Sequence, residues 1–360
     1  MKKILIILVI IIISFLNLIC KNISLPLDLK ITDKLYDSKG AGNIIYPSAM
    51  IYSENSFDIK QIEIKTNENF YIFSTEVRGK INKIENSGIL YENNLESDFF
   101  LPMVHIYIDL NHIDSLGITN TIPGTNATIS PESAWEKAVV IASMPFRYER
   151  YLYGSKVENR NRIVVSKNNS INNKRNKIIA KIKKQKIGEF SANTGFTIVM
   201  LAQSLSGIAQ DNILISPVKS TAGQYNFGGG ELGLFKRYNP NILDLITPFA
   251  TSQKKILVNY SEKKEKYVVL PAYYPWNSKE RKNQNYGNIK QVSENKLIID
   301  LGSEDDLKKG SILYVNEKYK IKIIDIFPEM AVAKIIDNKN ETKITKKMRV
   351  YFQPFNSKED

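Results

Sequence analysis

The segment Ser56–Val77, SFDIKQIEIKTNENFYIFSTEV, alternates apolar and polar residues on either side of Thr66-Asn67-Glu68-Asn69. A period of two puts successive side chains on opposite faces of a strand, so the segment reads as two strands with one face in a core rather than as an amphipathic helix. In the first run Ile59, Gln61, Glu63 and Lys65 are expected on one face and Lys60, Ile62 and Ile64 on the other. In the second, Phe70, Ile72 and Ser74 oppose Tyr71, Phe73 and Thr75. Similar runs recur: MVHIYIDL at 103–110, with His105, Tyr107 and Asp109 on one side, then RIVVS at 162–166, KIIAKIKK at 177–184 and FTIVMLAQS at 196–204. Convincing amphipathic helices are scarce. The best helical start is Ser130-Pro131-Glu132, an N-cap residue, a proline at the first helical position and an early acid. It leads into Val139-Val140-Ile141, which favours a strand, so a single turn feeding a strand is expected there. Many short strands with turn signals between them predict an all-β chain built on a β-sandwich.

The character changes at residue 259. Residues 259–283 mix charge clusters with Pro271 and Pro275 and read as a linker or strap. Beyond it, NKLIIDLG is a strand ending in a turn, DDLKKGSILYV turns at Gly310 into another, and YKIKIIDIFPEMAVAKII is a hairpin bent at Phe327-Pro328. Residues 284–356 are therefore expected to form a small barrel-like β-domain, behind a sandwich over residues 20–258. Its strand, glycine turn and LKKG pattern resembles small β-modules at the ends of bacterial cell-envelope and flagellar accessory proteins.

The first twenty residues are not fold. Lys2-Lys3 is followed by the apolar run Ile4–Phe15, which ends at FLNLIC, and Cys20 is the only cysteine in the chain. A lone cysteine cannot form an internal disulfide. The segment resembles a bacterial lipoprotein signal peptide over 1–19, with Cys20 as the lipidated residue; Ile19 departs from the small residue usual before that cysteine. The run is shorter than the roughly 20 residues a spanning helix needs. The expectation is a lipid-anchored protein of the cell envelope, periplasmic or surface-exposed, with the membrane as its first partner. A net charge of +13 favours anionic partners such as head groups or cell-wall polymers, or else reflects a solvated lysine-rich surface. Nucleic acid is not an expected partner. The stretch NKRNKIIAKIKKQK at 173–186 looks like an edge strand, whose Lys181 and Lys183 discourage strand pairing or offer a patch to an anionic polymer.

Six ordered landmarks carry a family resemblance. Asp33, Asp37, Gly40, Gly42, Tyr46 and Pro47 match a signature of the form D-P-x-G-D-D-x-G-x-G-x-Y-x-Y-P, although Lys34, Tyr36, Ser38 and Ile44 depart from it. Phe57-Asp58 follows, then Tyr107 and Asp109 in VHIYID, IPGTN at 122–126, Trp135 and Ala138 in AWEKAVVI, and FGGG at 227–230 before PNILDLITP at 240–248. Over roughly residues 24–258 the chain resembles the C-terminal module of glucodextranase and its DOMON-like relatives, β-sandwich modules akin to some carbohydrate-binding modules. The resemblance implies non-catalytic binding of a glycan or cell-wall component. A structural or assembly factor making protein contacts in an envelope or flagellar complex is the alternative. The catalytic domain of glucodextranase lies elsewhere in that protein, so its activity does not transfer.

The residues themselves offer several sites. Sugars stack on exposed aromatic faces, and Trp135, Tyr273, Tyr274 and Trp276 are the aromatic candidates; Trp135 also suits a core strand, and Trp276 a strap between domains. Gly228 and Gly229 let a ligand approach closely, or simply turn the chain at the sandwich edge. Asp33, Asp37 and the carbonyls near Gly40 could ligate calcium, which takes six to eight oxygens. The other reading, that both acids cap a tight turn, is favoured because Ser38 replaces a second acid. No cofactor is otherwise expected. Catalysis has little support: His105 and His112 lie in no metal-ligand or cysteine–histidine spacing, Asp305-Asp306 sit in an acidic turn, and no phosphate-binding or nucleophile-elbow motif is present.

Overall fold

The computed structural model describes residues 28–351, except 84–96, 98, 114–115, 155–156, 205–213, 231–237, 248–251, 277–285, 294–295, 302–306, 316–318, 328–329, 339–343 and 346–347. The signal segment, Cys20, Asp305-Asp306 and the end of the expected linker lie outside the described residues.

Two five-stranded sheets face each other. The first has the order β1-β2-β3-β9-β8 and is built from β1 (Asp28–Thr32), β2 (Ile59–Thr66), β3 (Phe70–Val77), β8 (Ser170–Ile171) and β9 (Lys177–Lys183). The second has the order β11-β10-β4-β6-β7, from β4 (Pro102–Asp109), β6 (Lys137–Ile141), β7 (Ile163–Val165), β10 (Gly195–Ala202) and β11 (Asp244–Leu245). Ile62, Ile64, Tyr71, Phe73 and Ile178 of the first sheet meet Val104, Ile106, Val139 and Ile198 of the second. Each fully buried aliphatic or phenylalanine side chain contributes about 1.5–3 kcal/mol, so this interior contributes strongly to stability.

The second sheet carries another core on its far face. Met103, Tyr107, Ala138, Val140, Val199 and Leu201 point that way, under Trp135, Tyr148 and Leu152. Every residue of β4 and β10 is consequently buried. One of the covering elements is the helix α1 (Pro145–Gly154), which buries Pro145, Tyr148 and Leu152 on one face. It was not expected, because PFRYERYLYG carries only a few apolar positions at helical spacing. The predicted turn before β6 is present, as a single 3-10 turn at Pro131–Ser133.

Three local expectations change. In β2, Ile59 and Ile62 are both fully buried, because a bulge between Ile59 and Gln61 breaks the strict alternation. Strand β9 is not an edge throughout: β8 pairs with Ile178 and Ile179, and the stretch carrying Lys181 and Lys183 has β3 alone as its neighbour. The segment expected as a linker begins inside the sandwich. β12 (Val268–Leu270) pairs in parallel with β5 (Ala127–Ile129), and Tyr273 exchanges two backbone hydrogen bonds with Phe196. A boundary at 258 would cut through this packing, since Val268, Leu270 and Tyr274 are all buried.

Six strands close the C-terminal barrel: β13 (Tyr286–Ser293), β14 (Lys296–Ile299), β15 (Ile312–Val315), β16 (Tyr319–Ile326), β17 (Ala331–Asn338) and β18 (Arg349–Tyr351). Their order is β13-β14-β17-β16-β15-β18, and antiparallel pairing of β18 with β13 completes the ring. Leu297, Ile299, Leu313, Val315, Ile321 and Ala333 fill its interior. Gly310, at φ +94°, makes the turn into β15.

Candidate functional site

Four separated segments meet at one end of the sandwich. Asp58 stands just ahead of the β2 bulge and is fully buried. Its Oδ2 accepts the Tyr36 N–H at 2.9 Å and the Arg78 Nε–H at 2.5 Å. Asp244 opens β11 and is also fully buried. Its Oδ2 accepts the Ile59 N–H at 2.6 Å and its Oδ1 accepts the Leu245 N–H at 3.0 Å. Asp37 comes from the opening loop, and one carboxylate oxygen from each of Asp37, Asp58 and Asp244 lies within 4.8 Å of the other two. Burial, with repulsion from Asp33, Asp37 and Asp58, pushes the Asp244 carboxyl well above the ordinary range. Burial also raises Asp58, against the opposing pull of the Tyr36 N–H and Arg78.

The loop bearing Asp37 is held from beneath. Gln253 begins the short helix α3 (Gln253–Leu257), which follows α2 (Lys184–Ile187) in the chain. Its Nε2 donates to the carbonyls of Asp37 at 2.6 Å and Gly40 at 3.0 Å, while its Oε1 accepts the Leu245 N–H. Ser38 is buried and its carbonyl accepts the Tyr46 hydroxyl at 2.7 Å. The Tyr46 ring in turn packs against Phe57 and Phe227. The landmarks DSKGAG, SFDI, FGGG and NILDL are thus neighbours in space.

The expected ligand-contact glycines belong to this packing. Gly228 and Ile45 exchange backbone hydrogen bonds of 2.8 and 3.0 Å. Gly229 has φ +91°, and a Cβ there would lie 1.8 Å from the Asn43 carbonyl oxygen. Both glycines pack against the opening loop, the close backbone approach that their lack of a side chain allows.

The aromatic candidates are not brought together on a surface. Trp135 is 2% exposed, packs on Tyr107 and donates its Nε1–H to the Asn120 carbonyl at 3.0 Å. Tyr274 is 1% exposed and its hydroxyl donates to Asp109 Oδ2 at 2.5 Å, with His112 Nδ1 at 2.8 Å from the same hydroxyl. Neither has a face to offer a sugar. Tyr273 and Trp276 are partly buried against the inter-sheet core, Trp276 beside Phe190 and Phe196. A groove of about 620 Å³ lies elsewhere, at the open end of the first sheet, lined by Glu68, Asn69, Phe70, Lys183, Lys184, Gln185, Gly188 and Glu189. Sequence reasoning passed over this groove, because its two sides are more than a hundred residues apart. It also missed Asp244 and Gln253 as partners of Asp37. The available signal was the acid in SFDI and in NILDL, each inside a landmark already singled out.

Two sheets packed face to face, with an acid-lined knot of loops at one end, define a β-sandwich module. The sequence model of the family described as the C-terminal binding-module, SLH-like, of glucodextranase matches residues 29–272, well over half of the chain, and the protein belongs to this family. The match runs through β12, in agreement with the strand pairing that carries the module past residue 258. No curated protein gives a significant match.

Proposed function

We propose that the sandwich binds a glycan or another polymer of the cell envelope without catalysis, and that lipid on Cys20 holds it at the membrane. The observation that carries this reading is membership of a binding-module family over residues 29–272. The groove beside Phe70 supports it. An open cleft lined by an aromatic ring, amides and both signs of charge suits an extended, hydroxyl-rich chain better than an enclosed small molecule. The histidines support the non-catalytic part. His105 is sealed in the second core, and His112 is tied to Asp109 and Tyr274.

A glycan array probed with the chain from Lys21 onward, followed by calorimetry on any hit, tests the binding. Phe70→Ala is expected to weaken the hit by roughly tenfold, about 1.4 kcal/mol, and to leave the fold intact, since Phe70 is only partly buried. Cys20→Ser is expected to release the protein from membranes. A silent array, together with envelope proteins retained in a pull-down, would replace this reading with the assembly-factor alternative.

A further inference from the structure

We infer that Asp37, Asp58 and Asp244, with Asp33 alongside, form a site for one calcium ion that fastens the opening loop to both sheets. Two independent observations point to a ligand. The first is spacing: three carboxylate oxygens from three distant segments lie within 4.8 Å of one another. Oxygens on opposite sides of a calcium ion stand about 4.6–5.2 Å apart, twice its usual ligand distance. The second is Asp58 Oδ1. It belongs to a fully buried side chain, and it has no hydrogen-bond partner although Oδ2 has two. Arg78 pairs with Oδ2, but Oδ1 is left without a donor, which is costly inside a protein unless a cation meets that oxygen.

The donor chemistry selects the ion. The cluster is all oxygen, without histidine or cysteine, which suits a hard cation rather than zinc or copper. Magnesium keeps several waters and binds few protein carboxylates, whereas a buried set of three or four acids suits calcium. Each oxygen of Asp244 takes one backbone N–H and keeps lone-pair capacity for a metal. The ion would join the first sheet, through Asp58 before β2, to the second, through Asp244 in β11. This site is separate from the groove at Phe70 and does not depend on the glycan reading.

The test uses the chain from Lys21 onward, stripped with chelator and titrated with calcium chloride alone by calorimetry and thermal melting. The expected result is one ion per chain with sub-millimolar affinity. About 5 mM calcium should raise the melting temperature by several degrees, and magnesium at the same concentration should do far less. Asp244→Asn should abolish both binding and the shift. Since a buried variant can fail to fold, Asp37→Asn, at the less buried side of the cluster, is the second probe. It should fold as the parent does, melt near the metal-free parent, and bind calcium at least tenfold more weakly. Absence of binding heat and of any melting shift in the parent would overturn the site, leaving Asp244 held neutral by a proton. Unchanged calcium affinity in Asp37→Asn would overturn it equally.

Discussion

His105 shows how a single side chain ties pH to folding. It lies in the second core with its Nε2 3.0 Å from the Tyr148 hydroxyl, and its Nδ1 is 3.3 Å from the Tyr107 hydroxyl and 3.4 Å from Thr125 Oγ1. Burial alone pushes its pKa down to about 3, from an ordinary value of 6.5. The folded state therefore keeps the imidazole neutral where the unfolded chain takes up a proton. Its contribution is fully present above pH 6.5 and is lost as pH falls from there toward 3, at about 1.4 kcal/mol per pH unit. His105→Gln keeps hydrogen-bonding capacity and removes the titration. Urea denaturation at pH 6.5, 5.5 and 4.5 should show the parent losing stability more steeply than the variant by about that slope. Parallel pH profiles would show that His105 is protonated in the fold.

Loops and strands set a different kind of constraint. Gly42 and Gly229 share φ +91°, yet their surroundings differ. A Cβ on Gly42 would meet the flexible Lys254 side chain at 3.2 Å, whereas on Gly229 it would meet the Asn43 backbone oxygen at 1.8 Å. Gly42→Ala is expected to cost about 1 kcal/mol, the price of the left-handed conformation. Gly229→Ala must also push two backbones apart, and should cost about 3 kcal/mol or more. Equal losses on denaturation would show that the FGGG turn does not press on the opening loop. At this scale much was legible. The alternation in FYIFSTEV matches β3, and MVHIYIDL places His105, Tyr107 and Asp109 as read, because a strand's period of two survives burial on either face. The bulge at Ile59 was not legible. It coincides with a non-local hydrogen bond, Ile59 N–H to Asp244 185 residues away, and no local pattern encodes that contact. The acid cluster was half legible for the same reason. Asp33 and Asp37 stand in a visible signature, while Asp58 and Asp244 join them only through the sheet pairing. The burial of Tyr274 was not legible, because ring size says nothing of which face a strand turns outward.

The molecule as a whole is two units with separate interiors. The sandwich cores end at Trp276 and the barrel core begins at Ile289, with no residue shared between them among the described residues. Limited trypsin digestion is expected to give two fragments parted near Lys279–Lys282, a segment outside the described residues, each keeping its own cooperative melt. First cuts inside residues 100–250 would contradict that division. The small β-domain was readable from its turns, since Gly310 precedes β15 and the bend at Phe327 separates β16 from β17. The barrel-like form was expected and is observed, whereas the particular pairing of β18 with β13 that completes the ring has no local signal.

Among the described residues the sandwich is covered unevenly, with the second sheet enclosed on both faces and the first on one. Any change in β4 or β10 must satisfy one interior or the other, so a lineage descending from this chain has almost no latitude there. On the outward positions of β2, β3 and β9, among them Lys65, Ile72, Lys181 and Lys183, side chains can be exchanged without disturbing either interior. Inheritance of the scaffold and drift of its surface are thereby uncoupled: descendants can acquire new partners on the open sheet while the hidden one stays nearly fixed.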